Sequence, residues 1–94
     1  MARWTMDDDM TCCLMYLEQV KFNNGSSWEY HDLLHNLQLE LPHIPKSSLK
    51  MKLQNIKQLC IESGLKDGLR ISPLENYSVQ NKRAFDAIRK HLGI

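Results

Sequence analysis

The chain is expected to be mostly α-helical, and three observations lead there. Apolar residues recur at helical spacing in four separate stretches. Helix-starting residues (Thr5, Ser26, Ser27, Ser47, Ser48, Ser78) precede those stretches, and Asn or Gly closes most of them. The one long stretch without helical period, 65–77, contains Gly68 and Pro73 and reads as a loop, with a short extended piece at "LRIS". The 94 residues are 43% hydrophobic and 24% charged, the composition of a folded globular chain. A chain of this size buries only about 60–65% of its unfolded surface. One core fits, and a deep enzyme cleft is hard to carve from it.

The first helix is expected over 5–22. Thr5 caps it, and Asp7, Asp8 and Asp9 fill its first turn, where carboxylates meet unpaired backbone N–H groups. Three consecutive carboxylates fan around a helix instead of converging, so this run reads as capping and not as a metal site. Met6, Met10, Cys13, Leu14, Leu17 and Val20 supply the apolar period, and "FNNGSS" ends the helix.

A second helix is expected over 27–40, starting near Trp28. Tyr30, Leu33, Leu34, Leu37 and Leu41 share one face, with Trp28, His31, Asp32 and His35 on the other. His31 and His35 have a spacing that suits zinc, but no further Cys or His completes a site, so no metal is expected. "LPHIP" then breaks the chain, because each proline disfavours helix in the residue before it.

The third helix is expected over 47–63, capped by Ser47 or Ser48. Leu49, Leu53, Ile56 and Cys60 form its core stripe. Lys50, Met51, Gln54 and Gln58 lie opposite, with Lys46 and Lys57 along one edge. Gly64 stands at the expected C-terminal cap. A loop over 64–77 leads to a last helix over 78–92, where Asn81, Phe85, Ile88 and Leu92 share a face and Gly93 closes. The expected organisation is a single domain, 1–94, with a helix-turn-helix-like core at 3–63. The expected core includes Trp4, Leu14, Leu17, Leu34, Leu37, Leu53, Ile56, Phe85 and Ile88.

The formal net charge is only +1, but it is unevenly placed. Residues 1–45 carry two basic and seven acidic side chains, or −5. Residues 46–94 carry ten basic and four acidic ones, or +6. An anionic partner for the second half is one explanation, and packing of the acidic half against the basic half is the other. The three cysteines are an odd number, and Cys12 and Cys13 are adjacent. The start, "MARWTMDDDM", has no apolar run of signal-peptide length, and no stretch approaches a membrane span. Free thiols and a cytoplasmic location are expected, with no membrane contact.

No glycine-rich phosphate loop, H-E-x-x-H, Cys-x-x-Cys or G-x-S-x-G pattern occurs. Cys12 and Cys60 fall at apolar helix faces, where a thiol is usually a small hydrophobe. Neither an enzyme nor a cofactor is expected. Three short helices with a break before the third match helix-turn-helix architecture. In such folds the third helix offers cations to phosphates and amides to adenine edges. The segment 41–61 contains no acidic residue, and Lys46, Ser47, Lys50, Met51, Gln54 and Gln58 are of the required types.

"RWTMDDDMTCCLMYL" resembles the opening of a Myb/SANT-type domain, and "GSSWEYHDLL" resembles the entry to that family's second helix. "SSLKMKLQNIKQL" resembles the third helix of a Myb-like branch found at the N-terminus of bacterial HNH nucleases and restriction-associated proteins. The resemblance covers about residues 3–60, and no nuclease motif follows it. It implies a three-helix Myb-like core with an additional C-terminal helix, Trp4 and Trp28 as core aromatics, and DNA binding through Ser47, Ser48, Lys50, Met51 and Gln54. The family's usual third-helix tryptophan is absent, and Leu53 or Ile56 would fill its volume.

The expected function is therefore a module that binds duplex DNA through its third helix. Lys46, Lys50, Lys57 and Arg70 would hold phosphates. Gln54, Asn55 or Gln58 would reach bases, although Asn55 leans toward the core edge, with backbone as its other partner. The alternative is a protein-interaction module, such as an inhibitor or regulator of a nucleic-acid-binding enzyme. The sequence leaves the oligomeric state open.

Overall fold

Thr5 starts the first helix as expected, and it does so through a full capping box. Its hydroxyl accepts from the Asp8 N–H at 3.1 Å, and its own N–H donates to the Asp8 carboxylate at 3.1 Å. The computed structural model describes residues 3–94, so the first two residues of the expected domain lie outside the described residues. Among the described residues four helices form: α1 (Met6–Asn23), α2 (His31–Glu40), α3 (Lys46–Glu62) and α4 (Val79–Leu92). Asn24 closes α1 in the left-handed conformation, and Gly93 closes α4 in the same way. Ser78 caps α4 by accepting from the Asn81 N–H at 3.0 Å.

The second helix starts later than its sequence pattern predicts. It begins at His31, after Tyr30, and not at 27 or 28. Trp28 is drawn away from helix by pairing with the loop. It forms a parallel bridge with Leu69, accepting from the Arg70 N–H at 2.9 Å and donating to the Gly68 carbonyl at 3.0 Å. This is the extended piece expected at "LRIS". Gly68 makes it possible. Its φ is +73°, and a Cβ there would clash with the Ser26 carbonyl. The third helix starts at Lys46, directly after Pro45, without a side-chain cap from Ser47 or Ser48.

One core joins all four helices. Leu17, Leu34, Leu37, Leu53, Ile56, Phe85 and Ile88 are buried as expected, whereas Trp4 and Leu14 are half-buried at its margin. The most extensive helix pairing is α1 with α4, so the last helix is integral to the core. Cys12, Cys13 and Cys60 are free thiols buried inside it. Burial pushes the Cys12 and Cys60 thiols up to about 12, which keeps them protonated near neutral pH. No helix among the described residues is long and apolar enough to cross a membrane.

Candidate nucleic-acid interface

The lysines of α3 divide into two sets. Lys46 and Lys50 lie on the outward side at its N-terminal half. Lys52 and Lys57 turn inward along its two edges.

Lys52 sits one step from the apolar stripe and is buried. Its ammonium lies 2.7 Å from a carboxylate oxygen of Asp9, which is fully buried. The other Asp9 oxygen accepts from the Gln80 side-chain amide at 2.7 Å, and the ammonium also sits 4.3 Å from the centre of the Trp4 ring. The Asp run thus has two structural roles. Asp8 fills the first turn as expected and also completes the capping box, while Asp9 is a core ion-pair partner. Burial raises the Asp8 pKa, but hydrogen bonds from Thr5 and His43 outweigh it and hold that carboxyl below its ordinary value.

Lys57 was expected to hold a phosphate, and the structure assigns its charge elsewhere. Its ammonium donates to Asp67 at 2.9 Å and to the Leu69 carbonyl at 3.0 Å, and its side chain is only 17% exposed. Asp67 is itself a hub. It accepts from the Tyr16 hydroxyl at 2.6 Å and from the Leu69 N–H at 3.4 Å, and its carbonyl accepts from the Trp28 indole at 2.7 Å. Burial and the Asp67 carboxylate push the Tyr16 phenol far up, so it remains a neutral donor. Asp67 and Leu69 engage two of the three Lys57 ammonium donors, which leaves Lys57 less free for a phosphate than Lys46 or Lys50.

The outward face holds the remaining expected residues. Lys46, Ser47 and Met51 are exposed, and Ser48, Lys50, Gln54 and Gln58 are half-buried. Among the described residues no carboxylate pairs with Lys46 or Lys50. Lys50 lies 5.2 Å from the centre of the Tyr30 ring, and His31 stacks on that ring at 4.4 Å. These aromatics border a hollow of about 390 Å³ shared with Lys46, Ser47 and Lys50. Gln58 donates to Glu62 at 2.8 Å. Arg70 is more distant from this face in its contacts: it bonds the Ser27 hydroxyl at 2.8 Å and lies 3.5 Å from Glu29.

The flank of α3 toward α4 is covered. The Leu74 N–H donates to the Gln54 carbonyl at 3.1 Å, and the Asn55 amide donates to the Leu74 carbonyl at 2.8 Å. Asn55 therefore takes the backbone role left open for it. His31 and His35 are exposed on α2, and no cluster of three His, Cys, Asp or Glu that could hold a metal occurs among the described residues.

Sequence reasoning missed Asp9 and Lys52 as a pair, although a signal was present. Asp9 precedes Cys13, Tyr16 and Val20 at the spacing of one helical face, and Lys52 lies three residues after Leu49 and four before Ile56. Asp67 carried no such signal, because a loop residue has no period. No protein-family model, curated protein or solved structure matches the chain.

Proposed function

We propose that this chain is a small DNA-binding module, built as a Myb-like helix-turn-helix with an added C-terminal helix and without catalysis of its own. It would place the N-terminal half of α3 in the major groove of duplex DNA. The observation that carries this reading is the outward face of α3, where unpaired Lys46 and Lys50 flank Ser47, Met51 and Gln54 with no carboxylate among them. The positive end of the helix dipole and the uncapped N–H groups of its first turn add to the attraction for phosphate. Lys46 and Lys50 hold phosphates, while Arg70 is engaged by Ser27 and Glu29 away from this face. Gln54 reads a base edge, helped by Met51 and Ser47.

With about two or three phosphates neutralised, the log-log salt slope is about −2 to −3. Fluorescence anisotropy with a labelled duplex at two salt concentrations tests this. Lys46→Glu with Lys50→Glu abolishes binding while thermal melts report an intact fold. Gln54→Ala reduces discrimination between sequences more than overall affinity. A parent protein that ignores duplex DNA even at low salt would sink the proposal.

The protein-interaction reading stands second. It is favoured by Met51 and Ile61, each about half exposed on the same helix.

A further inference from the structure

A second surface lies between α1 and α2, apart from the α3 face. It is a groove of about 690 Å³. Met15, Trp28 and Leu33 form its apolar wall, and Phe22 stands at its end with 83% of its surface exposed. A lone exposed ring needs no explanation, but Phe22 shares one groove with Met15, Trp28 and Leu33, and apolar surface gathered inside a polar rim marks an interaction site. Three carboxylates, Glu18, Glu29 and Asp32, rim the groove, and among the described residues no Lys, Arg or His lines it. Glu29 has a loose exposed partner in Arg70 at 3.5 Å, while Glu18 and Asp32 have none among the described residues. Lys21, which precedes Phe22, donates from its ammonium to the Leu92 carbonyl at 2.8 Å. The C-terminal end of α1 adds its own partial negative charge beside Phe22.

We propose that this groove docks a cationic amphipathic helix of a partner protein. The apolar wall takes a stripe of Leu-like side chains, and the carboxylate rim takes Lys or Arg on either side of that stripe. The occupant is a helix and not an extended strand. The groove's helical walls have their backbone groups bonded internally, and Trp28 in the extended stretch already spends its N–H on Gly68 and its carbonyl on Arg70. A strand therefore finds little edge to pair with, whereas a helix brings its own hydrogen bonds. Nucleic acid is repelled by the rim. A second copy of this chain fits poorly, because its basic helix α4 has already buried Ala84, Phe85 and Ile88, and its α3 exposes Met51 and Ile61 ten residues apart and not as a stripe. The site is separate from the α3 face, so either can fail alone.

The test uses the full chain and two labelled synthetic helices of about 14 residues, four turns, each with a Leu stripe. One is flanked by Lys and the other by Glu. Anisotropy is expected to show binding of the Lys helix alone. Glu18→Lys with Asp32→Lys, both exposed sites, weakens it by at least about tenfold, and Phe22→Ser does the same. Lys46→Glu with Lys50→Glu leaves it unchanged. Binding of both helices equally, of neither, or with undiminished strength by the groove variants would overturn the proposal. So would sedimentation showing a dimer of the chain that Phe22→Ser dissolves.

Discussion

Lys52 and Lys57 stand in the same helix as Lys46 and Lys50, yet the two pairs live in different physical worlds. The inner pair is held by Asp9 and Asp67, carboxylates that are themselves buried. The outer pair faces solvent without an acidic partner. A run of like charges in a sequence is therefore not a surface property. Helix geometry turns Lys52 toward the core edge, whereas Lys57 shares the angular sector of Lys46 and Lys50 and is drawn in by the loop that carries Asp67 and Leu69. Part of the acidic–basic asymmetry between the halves is likewise internal: Asp9 with Lys52, and Glu29 with Arg70, cross from one half to the other.

The largest expected effect comes from breaking the inner pairs. Lys52→Ala leaves Asp9 as an uncompensated buried charge and costs about 3–5 kcal/mol. That is a large part of what a small domain has, so chemical denaturation should find the variant partly unfolded. Lys57→Ala is milder, about 2–3 kcal/mol, because its side chain keeps some solvent and Tyr16 still donates to Asp67. A Lys57→Ala protein that melts like the parent but loses DNA would place Lys57 with the outer pair and break the division.

Gly68→Ala tests the clip that holds Asp67 in place. The left-handed backbone alone costs about 1–3 kcal/mol. The approach to the Ser26 carbonyl adds to that, because backbone cannot step aside. Thermal melts should show a loss that spares helix content while Trp28 fluorescence shifts toward that of an exposed indole.

Asp8 gives a smaller effect with a defined pH sign. Its folded-state pKa is depressed, so its contribution is present above the ordinary carboxylate value and is lost as pH falls through the lower folded one. Asp8→Asn should cost about 0.5–2 kcal/mol near neutral pH. It should also flatten the acid limb of a Tm-against-pH curve below about pH 4. A parent curve already flat there would remove Asp8 from the account.

The smallest stability effect belongs to the outer pair. Lys46→Glu with Lys50→Glu should change stability by no more than about 0.5–1 kcal/mol, part of it from the Tyr30 contact. The sharpest form of the comparison is therefore a crossing of two readouts: the inner pair moves melts, the outer pair moves DNA anisotropy.

The helices were legible in the sequence because their signals are local. Thr5, Ser78, Gly93 and the apolar periods act within a turn or two of themselves, and three of the four helix starts fall within a residue of expectation. The start of α2 was not legible, because Trp28 is claimed by Leu69, a residue far along the chain. The outward placement of Lys50, Met51, Gln54 and Gln58 followed from the wheel of α3. The fate of Lys57 did not follow, since its partner sits in a loop whose path only the fold determines. Asp9 and Lys52 lie between these cases: each lay on a readable stripe, but charge disguised them as surface.

The three sealed thiols give the molecule a clock. A thiol reagent attacks the thiolate, and for Cys12 and Cys60, with values near 12, that form is vanishingly scarce at neutral pH. Modification therefore waits for the interior to open. Cys12 and Cys13 report from α1 and Cys60 from α3, so the order in which they react times the separation of those helices. If the three react in one phase, at a rate that stops rising with reagent concentration, α1 and α3 part in a single event. Cys60 reacting ahead of Cys12 and Cys13 would show α3 loosening on its own while α1 stays closed against α4.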